Sequence, residues 1–184
     1  MSDPLQQALQ DAAVHSSLVG SLAVFCAVYL VFVMAAGWLV VVALERNAIT
    51  LATIVRVALL VVVSFAVAKV LNHVVSDPRP YLVAHTTPLA PTSGDNGFPS
   101  DHTLMAAALT ASLWWFARRY LAYFVVGMVL VALGRLGIEA HHTLDVVGSM
   151  AIVLVVMLLV SALPLPAALQ RPALRPATGA RRAL

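Results

Sequence analysis

The stretch Leu18–Leu44, LVGSLAVFCAVYLVFVMAAGWLVVVAL, carries no charged residue and ends at Glu45-Arg46-Asn47. A helix needs roughly 20 apolar residues to cross the hydrocarbon core of a bilayer, and this run meets that length. Ile49 to Val75 meets it too, with Arg56 near its start and Lys69 near its end. Tyr120 to Ile138 and Leu144 to Leu163 follow the same pattern, and Thr103 to Phe116 is a shorter run that polar site residues can extend. Hydrophobic residues make up 61% of the 184 and charged residues 10%. A soluble domain carries about 25% charged residues to wet its surface, so a soluble globule is excluded. The reading is an all-α, polytopic membrane helical bundle of about five transmembrane helices, with an interfacial helix at residues 4 to 16.

Between the second and third runs, Ser76 to Asp101 is rich in Pro, Gly, Asp, Ser and Thr. Such a segment belongs at a membrane surface, where water satisfies its backbone. Residues 1–163 read as the membrane domain, and 164–184 as a Pro/Arg-rich, solvated and disordered tail. Cys26 is the only cysteine, so no intrachain disulfide and no cysteine metal cluster can form. The N-terminal MSDPLQQALQDAAVHSS lacks a basic region, and no leader cleavage is expected.

In a five-span chain Arg46, Arg118, Arg119, Arg171, Arg175, Arg181 and Arg182 fall on one side. The positive-inside rule makes that side cytoplasmic and the tail with it. Those arginines read as contacts to anionic lipid rather than to nucleic acid. The loops after the second and fourth runs then open on the extracytoplasmic side.

Three polar clusters share that outer face. Asp77-Pro78-Arg79-Pro80 holds a guanidinium on a backbone stiffened by two prolines, which suits bidentate binding of phosphate oxygens; an anchor for lipid headgroups is the plainer alternative. Phe98-Pro99-Ser100-Asp101-His102-Thr103 precedes an apolar helix. Ser100 or Asp101 can cap it, and its free N–H groups and positive dipole end make an anion site, with His102 placed to donate a proton. The third cluster runs from Gly134-Arg135 through His141-His142-Thr143-Leu144-Asp145. His141 and Asp145 are four apart and share a helical face. A carboxylate on one ring nitrogen fixes the tautomer and leaves the other nitrogen nucleophilic. Each of these two clusters could alone be an ordinary capped helix start. Together the three supply the cations, helix N-terminus and imidazoles that phosphoryl transfer uses.

Arg79-Pro80, Pro99-Ser100-Asp101-His102 and Arg135-x5-His141-x3-Asp145 resemble the signature of the type 2 phosphatidic acid phosphatase superfamily, shared with vanadium haloperoxidases. Within it the run from Pro78 through Val83-Ala84-His85-Thr86 to Thr103, with Asp101 where most members have glycine, is similar to the bacitracin-resistance type of bacterial undecaprenyl pyrophosphate phosphatase. The resemblance covers roughly residues 15 to 163. It implies a multi-pass protein of the bacterial inner membrane that takes phosphate from a long-chain polyprenyl pyrophosphate on the outer face, with no cofactor and no metal. By matching position, Arg79, Arg135, Ser100 and the backbone near Asp101 hold the phosphate. His141, oriented by Asp145, forms a phosphohistidine, and His102 protonates the leaving lipid phosphate. Such a step recycles the carrier for cell-wall synthesis and lowers sensitivity to bacitracin. Two positions depart from the pattern. Asn72 stands where the family has lysine, with Lys69 one turn earlier, and Gly134 stands where it has serine.

Of the remaining polar residues, His142 falls one position off register, His85 is a candidate substrate contact, and Glu139 can pair with Arg135 four residues before it. The competing readings are the same chemistry on phosphatidic acid or phosphatidylglycerol phosphate, and, from a different class, a membrane transporter.

Overall fold

The computed structural model describes residues 3–173. Among them there is no strand, only an isolated bridge between Thr50 and Pro172. The helices are α1 Pro4–His15, α2 Ser17–Leu44, α3 Leu51–Val74, a short α4 Pro80–Ala84, α5 Asp101–Ser112, α6 Leu121–Gly137 and α7 Thr143–Ala162.

Local chemistry sets most of the boundaries. Asp3 caps α1 by accepting from the Gln6 amide at 3.1 Å, and Pro4 opens the helix at a position where no N–H is missed. Ser16 is extended and breaks α1 from α2. The α2 helix contains a π-helical turn, Phe25–Tyr29. Thr50 and Thr53 form a reciprocal capping box at the start of α3. The α1 helix, where an interfacial helix is expected, packs along α2 and α6.

Four helical segments are long and apolar enough to cross a membrane: Ser17–Leu44, Leu51–Val74, Arg118–Gly137 and Thr143–Ala162. Large apolar side chains project outward all along them, among them Phe32, Leu39, Val62, Leu154 and Leu159. In water that surface would aggregate; in lipid it is the solvated face. The fifth expected run, Thr103 to Phe116, behaves differently. Its 12-residue helix α5 spans about 18 Å at 1.5 Å per residue, and a 3-10 turn, Leu113–Trp115, continues it. It is the buried centre of the bundle, packed by α2, α3, α6 and α7. Its Ala106, Ala107 and Ala108 let the neighbours approach closely.

The helices alternate in direction, which sorts the loops to two ends. At one end Arg119 pairs with Glu45, the Arg118 guanidinium stacks 4.0 Å over Trp114, and Trp115 donates to Ser161. Residues 164–173, read from sequence as solvated tail, lie against this end: Leu51 donates to the Arg171 carbonyl and Ala173 to that of Ile49. The rest of the tail, 174–184, lies outside the described residues. The opposite end gathers the three polar clusters.

Candidate active site

His141 sits in the turn between α6 and α7, where Ala140 and His142 leave helical geometry. Its side chain is 2% exposed. Nε2 lies 3.3 Å from Arg79 Nη1 and 3.2 Å from Arg135 Nη2. A guanidinium only donates, so Nε2 is the unprotonated nitrogen and Nδ1 carries the proton. Nδ1 then donates to Asp145 Oδ2 at 3.3 Å. Burial holds the imidazole's proton affinity well below the ordinary range, and the Arg135 and Arg79 charges push the same way. The neutral ring with a free Nε2 is therefore the resting form.

Asp145 is completely buried in the first turn of α7. The same Oδ2 also accepts the His142 amide at 2.8 Å. One carboxylate oxygen thus caps α7 and orients His141, so the spacing of four serves both the helix and the ring.

Arg79 is anchored in full. Nη1 donates to the Ala140 carbonyl at 2.9 Å, Nη2 to Asp95 Oδ1 at 2.7 Å and to Ser93 Oγ at 3.2 Å, and Nε to the Asp95 carbonyl at 3.1 Å. The Ser93 hydroxyl and then Arg79 hold the Asp95 carboxyl below its usual range. Arg135, at the end of α6, is equally buried and its Nε has no partner. Two buried cations therefore flank one imidazole nitrogen.

The α5 N-terminus closes the site. His102 is half-buried in its first turn, and burial first, then the Arg135 and Arg79 charges, push its imidazole down to about 4. Asp101 is exposed beside it. Ser100 occupies the cap position without capping: its buried Oγ accepts from Thr103 Oγ1 at 3.1 Å. Ser149 on α7 donates to both the Ser100 and Asp145 carbonyls, at 3.0 and 2.7 Å, and so ties the start of α5 to α7.

The two departures from the superfamily pattern acquire reasons. Asn72 Nδ2 donates to the Phe98 carbonyl at 2.9 Å, and the Asn72 carbonyl accepts from Asn96 Nδ2 at 2.8 Å. Asn72 thus holds the loop. Lys69 instead lines a polar cavity of about 140 Å³ together with Arg79, Asp95 and Asp101. A Cβ on Gly134 would stand 2.5 Å from the Ala27 backbone nitrogen, so α2 and α6 touch there without room for serine.

A model of the PAP2 superfamily matches residues 51–167, a segment that contains Arg79, His102, Arg135, His141 and Asp145. The chain belongs to the PAP2 superfamily. It is also similar to Undecaprenyl-diphosphatase BcrC of Bacillus subtilis (strain 168), with 28% identity over 161 residues, covering 85% of this chain and 80% of that protein. No solved structure matches it significantly. This PAP2 chain is therefore related to a lipid phosphatase, and its own helices include four segments apolar enough to cross a membrane.

Several residues of the candidate site escape sequence reading. Asn96 donates to the Asn72, Val75 and Phe98 carbonyls and accepts the Asp77 amide at 2.7 Å; its one sequence signal is the turn composition Gly94-Asp95-Asn96-Gly97. Gly97 is needed because a Cβ there would sit 2.9 Å from the Asp77 carbonyl and 3.2 Å from Asp145 Oδ2. Asp3, 140 residues away, accepts the Thr143 amide at 2.6 Å and its hydroxyl at 2.8 Å. Glu139 does not pair with Arg135. It accepts from Thr86 Oγ1 at 2.8 Å and so fastens the loop after α4. His85 is exposed in a left-handed conformation at the end of α4. His142 faces Asp3 and Asp77 rather than the guanidiniums. Among the described residues no three His, Cys, Asp or Glu side chains gather as a metal cage.

Proposed function

We propose that this protein hydrolyses undecaprenyl pyrophosphate, or a closely similar long-chain polyprenyl pyrophosphate, at the outer face of a bacterial cell membrane. The observation that carries the reading is His141 Nε2, deprotonated and set between Arg79 and Arg135. That arrangement suits in-line attack on a phosphorus whose oxygens the two guanidiniums neutralise.

In this mechanism the terminal phosphate lies against Arg79, Arg135 and the α5 N-terminus near Ser100 and Asp101, and Lys69 reaches the second phosphate. An N–P bond forms at Nε2 as the bridging P–O bond breaks. Burial and the Arg135 and Arg79 charges keep His102 neutral until bound phosphate offsets those charges. His102 then takes up a proton from water and gives it to the departing lipid monophosphate oxygen, while Asp145 stabilises the positive imidazole ring. Water then attacks the phosphohistidine, its O–P bond forming as the N–P bond breaks, and returns a proton to His102. Inorganic phosphate leaves.

Two observations support a lipid substrate of this class, and a third supports the outer face. The first is the likeness to a protein named for undecaprenyl diphosphate. The second is a cleft of about 260 Å³ that runs from Asp101 and His102 past Met105 to Val31, Phe32 and Phe65, giving an apolar chain a path from the phosphate into the bilayer. The third is charge: Arg46, Arg118 and Arg119 lie at the end remote from the site, which favours an extracytoplasmic site.

Turnover of purified protein on a panel of polyprenyl pyrophosphates, phosphatidic acid and phosphatidylglycerol phosphate tests the substrate. The reading requires polyprenyl pyrophosphate to give the highest kcat/KM, and a preference for either glycerolipid would replace it. His141→Ala is expected to abolish phosphate release and the acid-labile phosphoenzyme; normal turnover by that variant would end the mechanism.

A further inference from the structure

The His141–Asp145 pair continues into a third group that the mechanism above does not use. Asp145 Oδ2 already takes two hydrogen bonds, from the His141 ring and the His142 amide. Asp145 Oδ1 is buried and has no partner among the fixed donors around it. A buried carboxylate oxygen left unsatisfied is costly, because the low local dielectric strengthens whatever interaction is missing. The Asp77 side chain closes the same corner: its Oδ1 stands 3.9 Å from His142 Nε2, and a Cβ on Gly97 would touch both the Asp77 carbonyl and Asp145 Oδ2.

We propose that Asp77 is a positioning residue, which donates a shared proton to Asp145 and thereby holds Oδ2 on His141.

The backbone makes Asp77 a rigid donor. Its amide donates to Asn96 Oδ1 at 2.7 Å, its carbonyl accepts the Gly97 amide at 2.7 Å, and Pro78 follows it. The charged and titratable groups around it are Asp145, His141 and His142 from the start of α7 and the turn before it, with Arg79 two residues on in its own segment. His142 Nε2 stands 3.9 Å from Asp77 Oδ1, and His142 Nδ1 stands 3.8 Å from Asp3 Oδ2, so the series runs on to the N-terminal helix. Two carboxyls sharing a site do not both ionise readily. Burial first, and then the Asp145 carboxyl, push the Asp77 carboxyl up to about 6, while His142 and His141 pull the other way. Below that value the proton bridges the two acids. Above it the two charges repel, and the hold of Oδ2 on the His141 ring weakens.

The proposal rests on His141 being the nucleophile. The test is kcat and KM for polyprenyl pyrophosphate, measured with the full chain in detergent from about pH 5 to about pH 8. Asp77→Ala is expected to lower kcat about tenfold at the acid end with KM changed less than about twofold, as for loss of one charge-assisted hydrogen bond. Asp77→Asn, whose amide donates at every pH, is expected to restore most of that kcat. Wild-type kcat is expected to fall as pH rises through about 6, and the Asn variant to show no such limb. An Asn-to-wild-type ratio that stays flat across the range would overturn the proposal, even if the Ala variant does not fold. If His141→Ala keeps turnover, the nucleophile assignment fails first. If that variant is dead and both Asp77 variants keep the wild-type profile, the role of Asp77 alone fails.

Discussion

Arg79 Nη1 and His141 Nε2 meet at 3.3 Å although 62 residues separate them. The same guanidinium nitrogen donates to the Ala140 carbonyl, so Arg79 grips both the ring and the backbone that presents it. The geometry needs a planar fork with several N–H groups, which lysine does not have.

Arg79→Lys is accordingly expected to behave as a severe change. Charge survives, but the bonds to Ala140, Ser93 and Asp95 cannot all be remade. A fall in kcat/KM of roughly 10- to 100-fold is expected, about 1.4 kcal/mol for each factor of ten. Steady-state kinetics checks it, and near-wild-type values would show that Arg79 acts as a point charge alone.

Asp145→Asn keeps the shape of the α7 cap but removes the charge that selects the His141 tautomer. Comparable substitutions in acid–histidine pairs cost on the order of 10⁴ in kcat. The expected outcome is a loss of that order with KM little changed and no detectable phosphoenzyme in a rapid-quench experiment. A loss confined to KM would assign Asp145 to binding.

Gly134→Ser restores the residue found elsewhere in the superfamily, and it is expected to be harmful. Its Cβ would meet Ala27 N at 2.5 Å and the Cys26 carbonyl carbon at 2.8 Å, both backbone atoms that cannot step aside. Overpacking of this kind costs about 1–3 kcal/mol. Thermal unfolding in detergent should show a lower Tm; an unchanged Tm would mean that α2 and α6 separate freely.

Asp3→Ala is expected to lower stability by about 1 kcal/mol at neutral pH, the usual worth of a helix cap. Burial opposes ionisation of Asp3, but the Thr143 and Gln6 amides outweigh it and hold its carboxyl below 3.8. A depressed carboxyl contributes stability above its unfolded value and loses it as pH falls. The Tm difference between wild type and variant should therefore be full above about pH 4 and shrink below it. A difference independent of pH would point to packing of α1 instead.

The hydropathy of Leu18–Leu44 and its counterparts is a property of single segments, and a segment's solvent can be read from its composition alone. The His141–Asp145 spacing and the helix start at Asp101 are legible for the same reason, since a helical turn relates residues four apart wherever the helix lies. The sequence therefore determined the membrane helices, the family and the catalytic candidates. It could not show that the Thr103 to Phe116 run is a short helix enclosed by four others, because enclosure depends on the neighbours rather than on the run. Nor could it show that Asn72 binds the loop while Lys69 faces the polar cavity, that Glu139 takes Thr86 in place of Arg135, or that Asp3 caps α7. Those pairings cross up to 140 residues of chain. They arise only when the packing of helices brings a donor and an acceptor into one dry space, where each must find a partner, and that decision belonged to the tertiary structure.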